Sequence, residues 1–129
     1  MRCLLDTHSF IWWVDDDSRL PVPARDAIAE AGNEIVLSVV SVWEIALLVQ
    51  RARLSLDAPP IHYVPRHVAA NGFSLLLVQM PHAFRVGTLP FHHRDPFDRM
   101  LVAQAQIEML TLITGDTAIG QYDVPVIWD

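Results

Sequence analysis

The stretch Arg2-Cys3-Leu4-Leu5-Asp6-Thr7 decides the fold class, because a short apolar run gives way abruptly to an acid and a hydroxyl. Residues 2–5 have the composition and length of a buried strand, and residues 9–14 are typical of a helix. The same succession of apolar strand, polar junction and helix recurs along the chain. This alternation predicts a parallel sheet that is covered by helices on both faces.

Apolar periodicity and the positions of Gly, Pro and Asn predict the remaining elements. No repeat or linker divides the 129 residues, so we expect one α/β domain over residues 1–129. Asp95 is expected to cap a helix that has Pro96 at its first position. We predict further strands at residues 34–37, 73–78, 110–113 and 124–127, and further helices at residues 21–31, 39–51, 61–71, 81–87, 96–109 and 117–122.

Composition and charge narrow the class of function. Apolar residues make up 52% of the chain, which suggests surface that an oligomer or a protein partner covers. Trp12 and Trp13 are adjacent in a predicted helix and cannot both face inward, so the outward one is a candidate interface residue. The net charge of −6 argues against a broad nucleic-acid-binding surface, although it leaves room for a small phosphate site.

The cell compartment is predicted from cysteine usage and from the N-terminus. Cys3 is the single cysteine and lies in an apolar strand, so we expect a buried, reduced thiol. The N-terminus has no signal-like segment, and the longest apolar run is too short to span a bilayer. The sequence therefore predicts a cytoplasmic protein without a membrane partner.

Four carboxylates carry the functional signal: Asp6, Glu44, Asp98 and Asp116. Each lies near a predicted junction between a strand and a helix, and in a parallel sheet such junctions gather along one edge. Carboxylates gathered there repel one another unless a hard cation lies between them. The pattern therefore points to a Mg²⁺- or Mn²⁺-dependent reaction on a phosphate.

Each acid also has a structural explanation, because Asp and Glu are favoured in the first turn of a helix. Asp98 follows three residues after the expected cap, and Asp116 is placed to cap residues 117–122. The segment Ser41-Val42-Trp43-Glu44 fits a capping box. Glu44 nevertheless favours function, since it is the only charge between Ile35 and Val49.

Other chemistries have weaker support. The chain has no Gly-rich phosphate loop, and its six histidines do not show zinc-ligand spacing. His8 is close enough to Asp6 to reach the site, whereas the pair His92-His93 is expected in a surface loop. Arg94 and Arg99 flank Asp98, either to contact phosphate or to pair with a nearby acid.

Four ordered motifs, spread over essentially the whole chain, resemble those of the PIN-domain ribonucleases, and above all the VapC-like toxins of bacterial toxin–antitoxin pairs. The motifs are Leu4-Leu5-Asp6-Thr7-His8, Ser38-Val39-Val40-Ser41-Val42-Trp43-Glu44-Ile45-Ala46, His92-His93-Arg94-Asp95-Pro96-Phe97-Asp98-Arg99 and Thr111-Leu112-Ile113-Thr114-Gly115-Asp116.

The resemblance implies a three-layer α/β/α fold with a five-stranded parallel sheet, a homodimer, and silencing by a cognate antitoxin. It also implies cleavage of RNA that depends on Mg²⁺ or Mn²⁺. Asp6 and Asp98 are expected to bind the metal directly, and Glu44 and Asp116 directly or through water. Hydrolysis by a metal-activated water would leave a 5′-phosphate and a 3′-hydroxyl.

Two alternatives from other classes remain open. The fold could serve as a nucleic-acid- or protein-binding module whose acidic site is unused. It could also be a metal-dependent phosphatase with an Asp nucleophile, although His8 stands where that chemistry usually has a second Asp.

Without metal, repulsion between the clustered acids should raise the pKa of at least one carboxyl. On that ground we expect Asp116→Asn to stabilise the metal-free protein.

Overall fold

The computed structural model describes all residues, 1–129, and contains one five-stranded sheet in which every pairing is parallel. The strand order is β3-β2-β1-β4-β5, so β1 lies at the centre. The predicted five-stranded parallel sheet is therefore confirmed. The strands are β1 (Arg2–Leu5), β2 (Glu34–Ser38), β3 (Ser74–Leu76), β4 (Thr111–Ile113) and β5 (Val126–Ile127).

Six α-helices connect the strands, and most begin and end within two residues of the predicted positions. Gly72 ends α4 in the left-handed conformation, with φ of 65°, as the Asn-Gly pair predicts. Pro65 lies inside α4 without ending it. The helices are α1 (Thr7–Val14), α2 (Val22–Ala29), α3 (Val39–Gln50), α4 (Pro60–Asn71), α5 (Met80–Val86) and α6 (Pro96–Glu108).

The core divides into two clusters, one on each face of the sheet. Successive side chains of a strand point to opposite faces. Cys3 and Leu5 accordingly pack into one cluster with Phe10 of α1, and Leu4 packs into the other with Leu101 of α6. The three-layer α/β/α arrangement follows from this alternation. No helix is long and apolar enough to cross a membrane.

Two local predictions about helix starts are wrong. The Oγ of Ser38 caps α3 by accepting a hydrogen bond from the Val40 N–H at 3.1 Å, so Ser41 and Glu44 do not form a capping box. The expected helix at residues 117–122 is only a 3₁₀ turn, Ile119–Gln121. Glu44 therefore lies in the second turn of α3, where it is available for another purpose.

The tryptophan pair also differs from prediction. Trp12 and Trp13 are both half-buried and both pack against the core, so neither is the exposed interface residue that we expected. The exposed tryptophan is Trp43, with 61% of its surface accessible. An eight-residue helix can bury part of two adjacent rings because α1 is bounded by several elements rather than by one flat surface.

The centre of the sheet places the ends of β1, β2 and β4 side by side. Leu5 pairs with Leu37 on one side and with Ile113 on the other. The backbone N–H of Asp6 donates to the Ile113 carbonyl at 3.1 Å, which extends the ladder one residue beyond β1. The carboxyl-terminal edge of the sheet is therefore where the predicted acids can meet.

Candidate metal centre

One pocket of about 390 Å³ at this edge is lined by all four predicted carboxylates, Asp6, Glu44, Asp98 and Asp116. Asp95 adds a fifth acid to its lining. His8, which we expected near Asp6, lines the pocket as well. The sequence positions run from 6 to 116, and the parallel sheet brings them together because each acid follows or faces the end of a central strand.

Asp6 has both a structural position and a free ligand atom. Its Oδ1 caps α1 by accepting a hydrogen bond from the Ser9 N–H at 2.8 Å. This bond explains why the helix begins at Thr7, two residues before the predicted start. The cap fixes the carboxylate at the edge of the sheet and leaves Oδ2 available to a ligand.

Glu44 is held by a hydroxyl from the neighbouring helix. The Oγ1 of Thr7 donates to Glu44 Oε1 at 2.5 Å, and Thr7 itself is buried. Burial raises the pKa of Glu44, the hydrogen bond from Thr7 partly offsets that effect, and the charge of Asp95 adds to the rise. Thr7 therefore orients this carboxylate.

Asp98 is the most perturbed acid of the site. It lies in the first turn of α6, its side chain is only 18% exposed, and it lines the pocket together with the other acids. Loss of solvent on burial raises its pKa to about 8, and the charges of Asp95 and Glu44 add to the effect. A carboxyl in this state binds a proton unless a cation replaces it.

Asp116 lies in the turn after β4, and its pKa is lowered rather than raised. Burial alone would raise its pKa, but the hydrogen bond from His93 and that from the Ala118 N–H outweigh burial and lower it. Its Oδ1 accepts from Ala118 N at 2.8 Å, while Oδ2 lies 2.7 Å from His93 Nε2. Asp116 thus caps a turn, as expected, and also contributes a charge to the pocket.

His93 is the functional residue that sequence reasoning missed. Its Nε2 lies 2.7 Å from Asp116 Oδ2 and 3.1 Å from Asp98 Oδ2. Its Nδ1 accepts a hydrogen bond from the Asp95 N–H at 3.0 Å. Because a neutral imidazole has one donor and one acceptor, Nε2 must carry the proton. His93 is therefore a donor to the acids in this orientation.

Spacing alone would make His93 a metal ligand, since it forms with Asp98 and Asp116 a group whose ligand atoms lie within 4.8 Å of one another. The Asp95 N–H argues against that role, because a ligating Nε2 would need the proton on Nδ1. An adjacent His pair in a loop gave no sign of this position. The available signal was its place two residues before a helix cap.

Arg99, one of the two arginines that flank Asp98, does not have the role that we predicted, whereas the role of Arg94, which is exposed, stays a prediction. Arg99 is buried, and its guanidinium donates to the carbonyls of Pro90 at 2.9 Å and Val86 at 3.1 Å. It also donates to the Tyr122 hydroxyl, which in turn accepts from the His93 N–H. Arg99 neither pairs with an acid nor faces the pocket; it fixes the loop that carries His93.

The donor set fits a hard divalent cation. Four carboxylates offer oxygen ligands, which Mg²⁺ and Mn²⁺ prefer. Burial raises the pKa of Asp98 and of Glu44, and the charges of neighbouring acids add to the rise, so a bound cation would favour the ionised form of both groups. Asp98 and Asp116 belong to the tight group of ligand atoms, while Asp6 and Glu44 line the same pocket outside it.

Comparison with known proteins now decides the family, because the PIN domain model matches residues 3–125. The chain belongs to the PIN domain family. A relative, Ribonuclease VapC22 of Mycobacterium tuberculosis (strain ATCC 25618 / H37Rv), is 28% identical over 129 residues. That match covers 95% of this chain and 92% of the relative.

Solved structures show the same PIN fold. VapBC2 from Rickettsia felis, bound to a DNA fragment from its promoter, matches with a TM-score of 0.73 and 14% identity over 100% of both chains. VapBC-1 from nontypeable Haemophilus influenzae matches with a TM-score of 0.67 and 13% identity, over 98% of this chain and 96% of that one. At these identities the likeness concerns the fold.

Proposed function

We propose that this PIN-domain chain is a divalent-metal-dependent endoribonuclease and the toxin of a toxin–antitoxin pair. One observation carries the proposal: acids from four separate elements line a single pocket at the carboxyl-terminal edge of the sheet. The name of its relative, a VapC ribonuclease, supports the choice of RNA as substrate. The structural neighbours are complexes of the VapBC kind, which supports the toxin role.

We assign Asp6 and Asp98 as direct ligands of Mg²⁺ or Mn²⁺, and Glu44 and Asp116 as ligands that act directly or through water. When bound, the cation would stabilise charge on phosphoryl oxygens and lower the pKa of a coordinated water. In-line attack by water on the phosphodiester would then leave a 5′-phosphate and a 3′-hydroxyl.

The remaining contribution of the chain is to orient these acids. Thr7 fixes one oxygen of Glu44, and His93 donates to Asp116. The Asp95 N–H holds the His93 ring in the donor form. Because such partners set the direction of each carboxylate, their loss should weaken metal binding without removing a ligand.

The test compares Asp6→Asn and Asp98→Asn with wild type in cleavage of a generic single-stranded RNA, with Mg²⁺, with Mn²⁺ and with a chelator. Wild-type cleavage should require metal. Each variant should lose at least about a hundredfold in rate, because it lacks a ligand rather than a supporting contact. Asp26→Asn changes an exposed acid on α2 and is the matched control.

Retained cleavage in both folded variants would overturn the ligand assignment. The same assay separates the two alternatives. A binding module would bind RNA without metal-dependent cleavage, and a phosphatase would release phosphate from a monoester while leaving internal phosphodiester bonds intact.

A cognate antitoxin is the protein partner that we propose. An almost wholly apolar groove of about 380 Å³ lies between α3 and α4, where Val42, Ile61 and Val68 contribute to its lining. Ile61 is 76% exposed, although burial of such a side chain is favourable. A small reading frame directly upstream, and co-purification of its product with this chain, would support the assignment. Isolation of the chain alone when both are expressed together would contradict it.

A homodimer is also part of the proposal, and it uses a different surface. Leu77, Met80 and Phe84 are 62%, 73% and 71% exposed and follow one another after the edge strand β3. Monomeric proteins rarely expose so continuous an apolar segment. Light scattering should give the mass of a dimer, and Phe84→Asp should shift it toward the 14.5 kDa of one chain. A monomeric mass for wild type at micromolar concentration would contradict the dimer.

A further inference from the structure

The pocket has an aromatic side that the proposed metal chemistry does not use. Two of the residues that line it are hydrophobic, Trp12 and Trp128, and they share the pocket with the four carboxylates. Trp12 belongs to α1 and Trp128 follows β5, so the fold brings them together from opposite ends of the chain. Their ring centroids lie 6.0 Å apart at an interplanar angle of 46°.

Trp128 packs against the backbone of the turn after β4, which contains Gly115 and Asp116. A Cβ atom placed on Gly115 would lie 2.5 Å from Trp128 Cε2 and 2.6 Å from Cζ2, closer than real Cβ contacts. The indole therefore lies directly on the Gly115 backbone, next to Asp116. Glycine is the residue that permits this approach. The aromatic surface is consequently fixed beside one of the proposed metal-binding carboxylates.

Trp12 is placed by a second set of contacts. The Cζ of Arg19 lies 4.8 Å from the centroid of its ring, and Asp17 holds that guanidinium with hydrogen bonds of 2.7 to 3.2 Å. His8 lies 5.7 Å away on the same helix. Trp12 is half-buried and lines the pocket, so part of its ring is open to a ligand there. Arg19 and Asp17 thus help to fix the orientation of the Trp12 ring.

We propose that Trp12 and Trp128 form a stacking subsite for an unpaired nucleobase of the RNA, adjacent to the carboxylates whose bound cation would meet the scissile phosphate. This inference rests on the proposed ribonuclease function and assigns two residues of its substrate site. Stacking on aromatic rings requires a base that is free of its helix, and it tolerates all four bases. The subsite would therefore accept one unpaired nucleotide with little preference for its sequence.

Trp13 provides a matched control on the same helix. It is also half-buried and also packs against the core, so its loss should disturb the fold about as much as loss of Trp12. It does not line the acidic pocket, and its indole N–H donates to Asn71 Oδ1 at 3.0 Å. A binding defect specific to Trp12 would therefore not be a consequence of general destabilisation.

The experiment measures binding of short oligouridylate RNA by fluorescence anisotropy at low ionic strength, once with chelator and once with Ca²⁺. One series of RNAs carries a single abasic nucleotide at each position in turn. Wild type should lose about tenfold in affinity at one position. Trp12→Leu and Trp128→Leu should each bind the intact RNA about tenfold more weakly, and should lose little more when that nucleotide is abasic. Trp12→Phe should retain most of the affinity, and Trp13→Leu should match wild type.

Three results would overturn the subsite: equal binding by Trp12→Leu and Trp13→Leu, an undiminished abasic effect in Trp12→Leu, or no abasic effect in wild type. The last comparison needs no variant, so it holds even if a variant fails to fold. Binding is scored without cleavage, which separates the two proposals. Normal metal-dependent cleavage with no abasic effect would refute the subsite alone, whereas the expected abasic pattern without cleavage would refute the ribonuclease alone.

Discussion

The start of α6 and the turn after β4 each place one carboxylate against the same imidazole nitrogen, yet the pKa values of the two acids shift in opposite directions. The pKa of Asp98 is raised to about 8, whereas that of Asp116 is lowered. His93 Nε2 has one proton and donates it to Asp116, the nearer of the two, and Asp116 also accepts two backbone N–H bonds. Asp98 is more buried and lacks such donors. Burial and the number of donors, rather than closeness to other charges, decide which acid resists ionisation.

This comparison corrects an expectation drawn from the sequence. At least one carboxyl does have a raised pKa, as we predicted, but burial is the main cause, the charges of neighbouring acids add to it, and the affected groups are Asp98 and Glu44. Asp116 is stabilised as an anion, so Asp116→Asn should not relieve repulsion. The lowered pKa reverses the sign that we expect for this variant, and Asp98 is the residue at which a stabilising effect should be sought.

A bound metal should favour the ionised form of both acids, and it should produce the largest change in the free energy of unfolding. Mg²⁺ or Mn²⁺ at a hundredfold excess over its dissociation constant should stabilise wild type by on the order of 2–3 kcal/mol, because it binds only the folded site. Asp98→Asn should be stabilised less. Thermal melting with metal and with chelator measures the effect, and Asp26→Asn should respond as wild type does. An equal metal response in Asp98→Asn and wild type would show that the cation does not use Asp98.

Without metal, the two Asn variants should change stability in opposite directions. Asp98→Asn should stabilise the metal-free protein at pH 7 by about 1–2 kcal/mol, because folding forces the Asp98 carboxyl to take up a proton that it lacks in the unfolded chain at this pH. Asp116→Asn should destabilise it by up to about 1 kcal/mol, since Asn caps about as well but lacks the charge that His93 stabilises. Urea denaturation with chelator present gives both values. Changes of the same sign would contradict the assignment of the two shifts.

The pH dependence of stability should also distinguish Asp98 from Asp116. A carboxyl whose folded pKa is about 8 opposes folding increasingly as pH rises from its unfolded value near 4 toward 8. The stability of the metal-free wild type should therefore fall between pH 5 and 8. The stability of Asp98→Asn should fall less steeply over the same range. Asp116 has a lowered pKa, so its contribution is present above about pH 4 and is lost only in more acidic solution. Asp116→Asn should leave the slope between pH 5 and 8 unchanged.

Replacement of His93 should give the smallest change in the stability of the metal-free protein. His93→Ala removes the donor to Asp116 and should destabilise the metal-free protein by about 1 kcal/mol at neutral pH, with allowance for partial exposure of that carboxylate. His93→Gln places an amide N–H near the position of Nε2 and should lose less. Both variants are compared with His92→Gln, which alters the neighbouring exposed ring that packs on Tyr122 at 4.9 Å. Equal losses in His93→Ala and His93→Gln would show that the ring acts by packing rather than as a donor.

The sequence by itself determined the sheet, the single acidic edge and the four carboxylates there, because strand periodicity and strand–helix junctions are local patterns. Only the tertiary structure decided which acid is buried, that His93 meets two of them, that Arg99 holds a loop instead of a phosphate, and that Trp128 lies beside Trp12. Each of these depends on contacts between residues far apart in the chain. Burial and hydrogen-bond partners are set by such contacts, and they control the pKa, the tautomer and the accessible surface of each group.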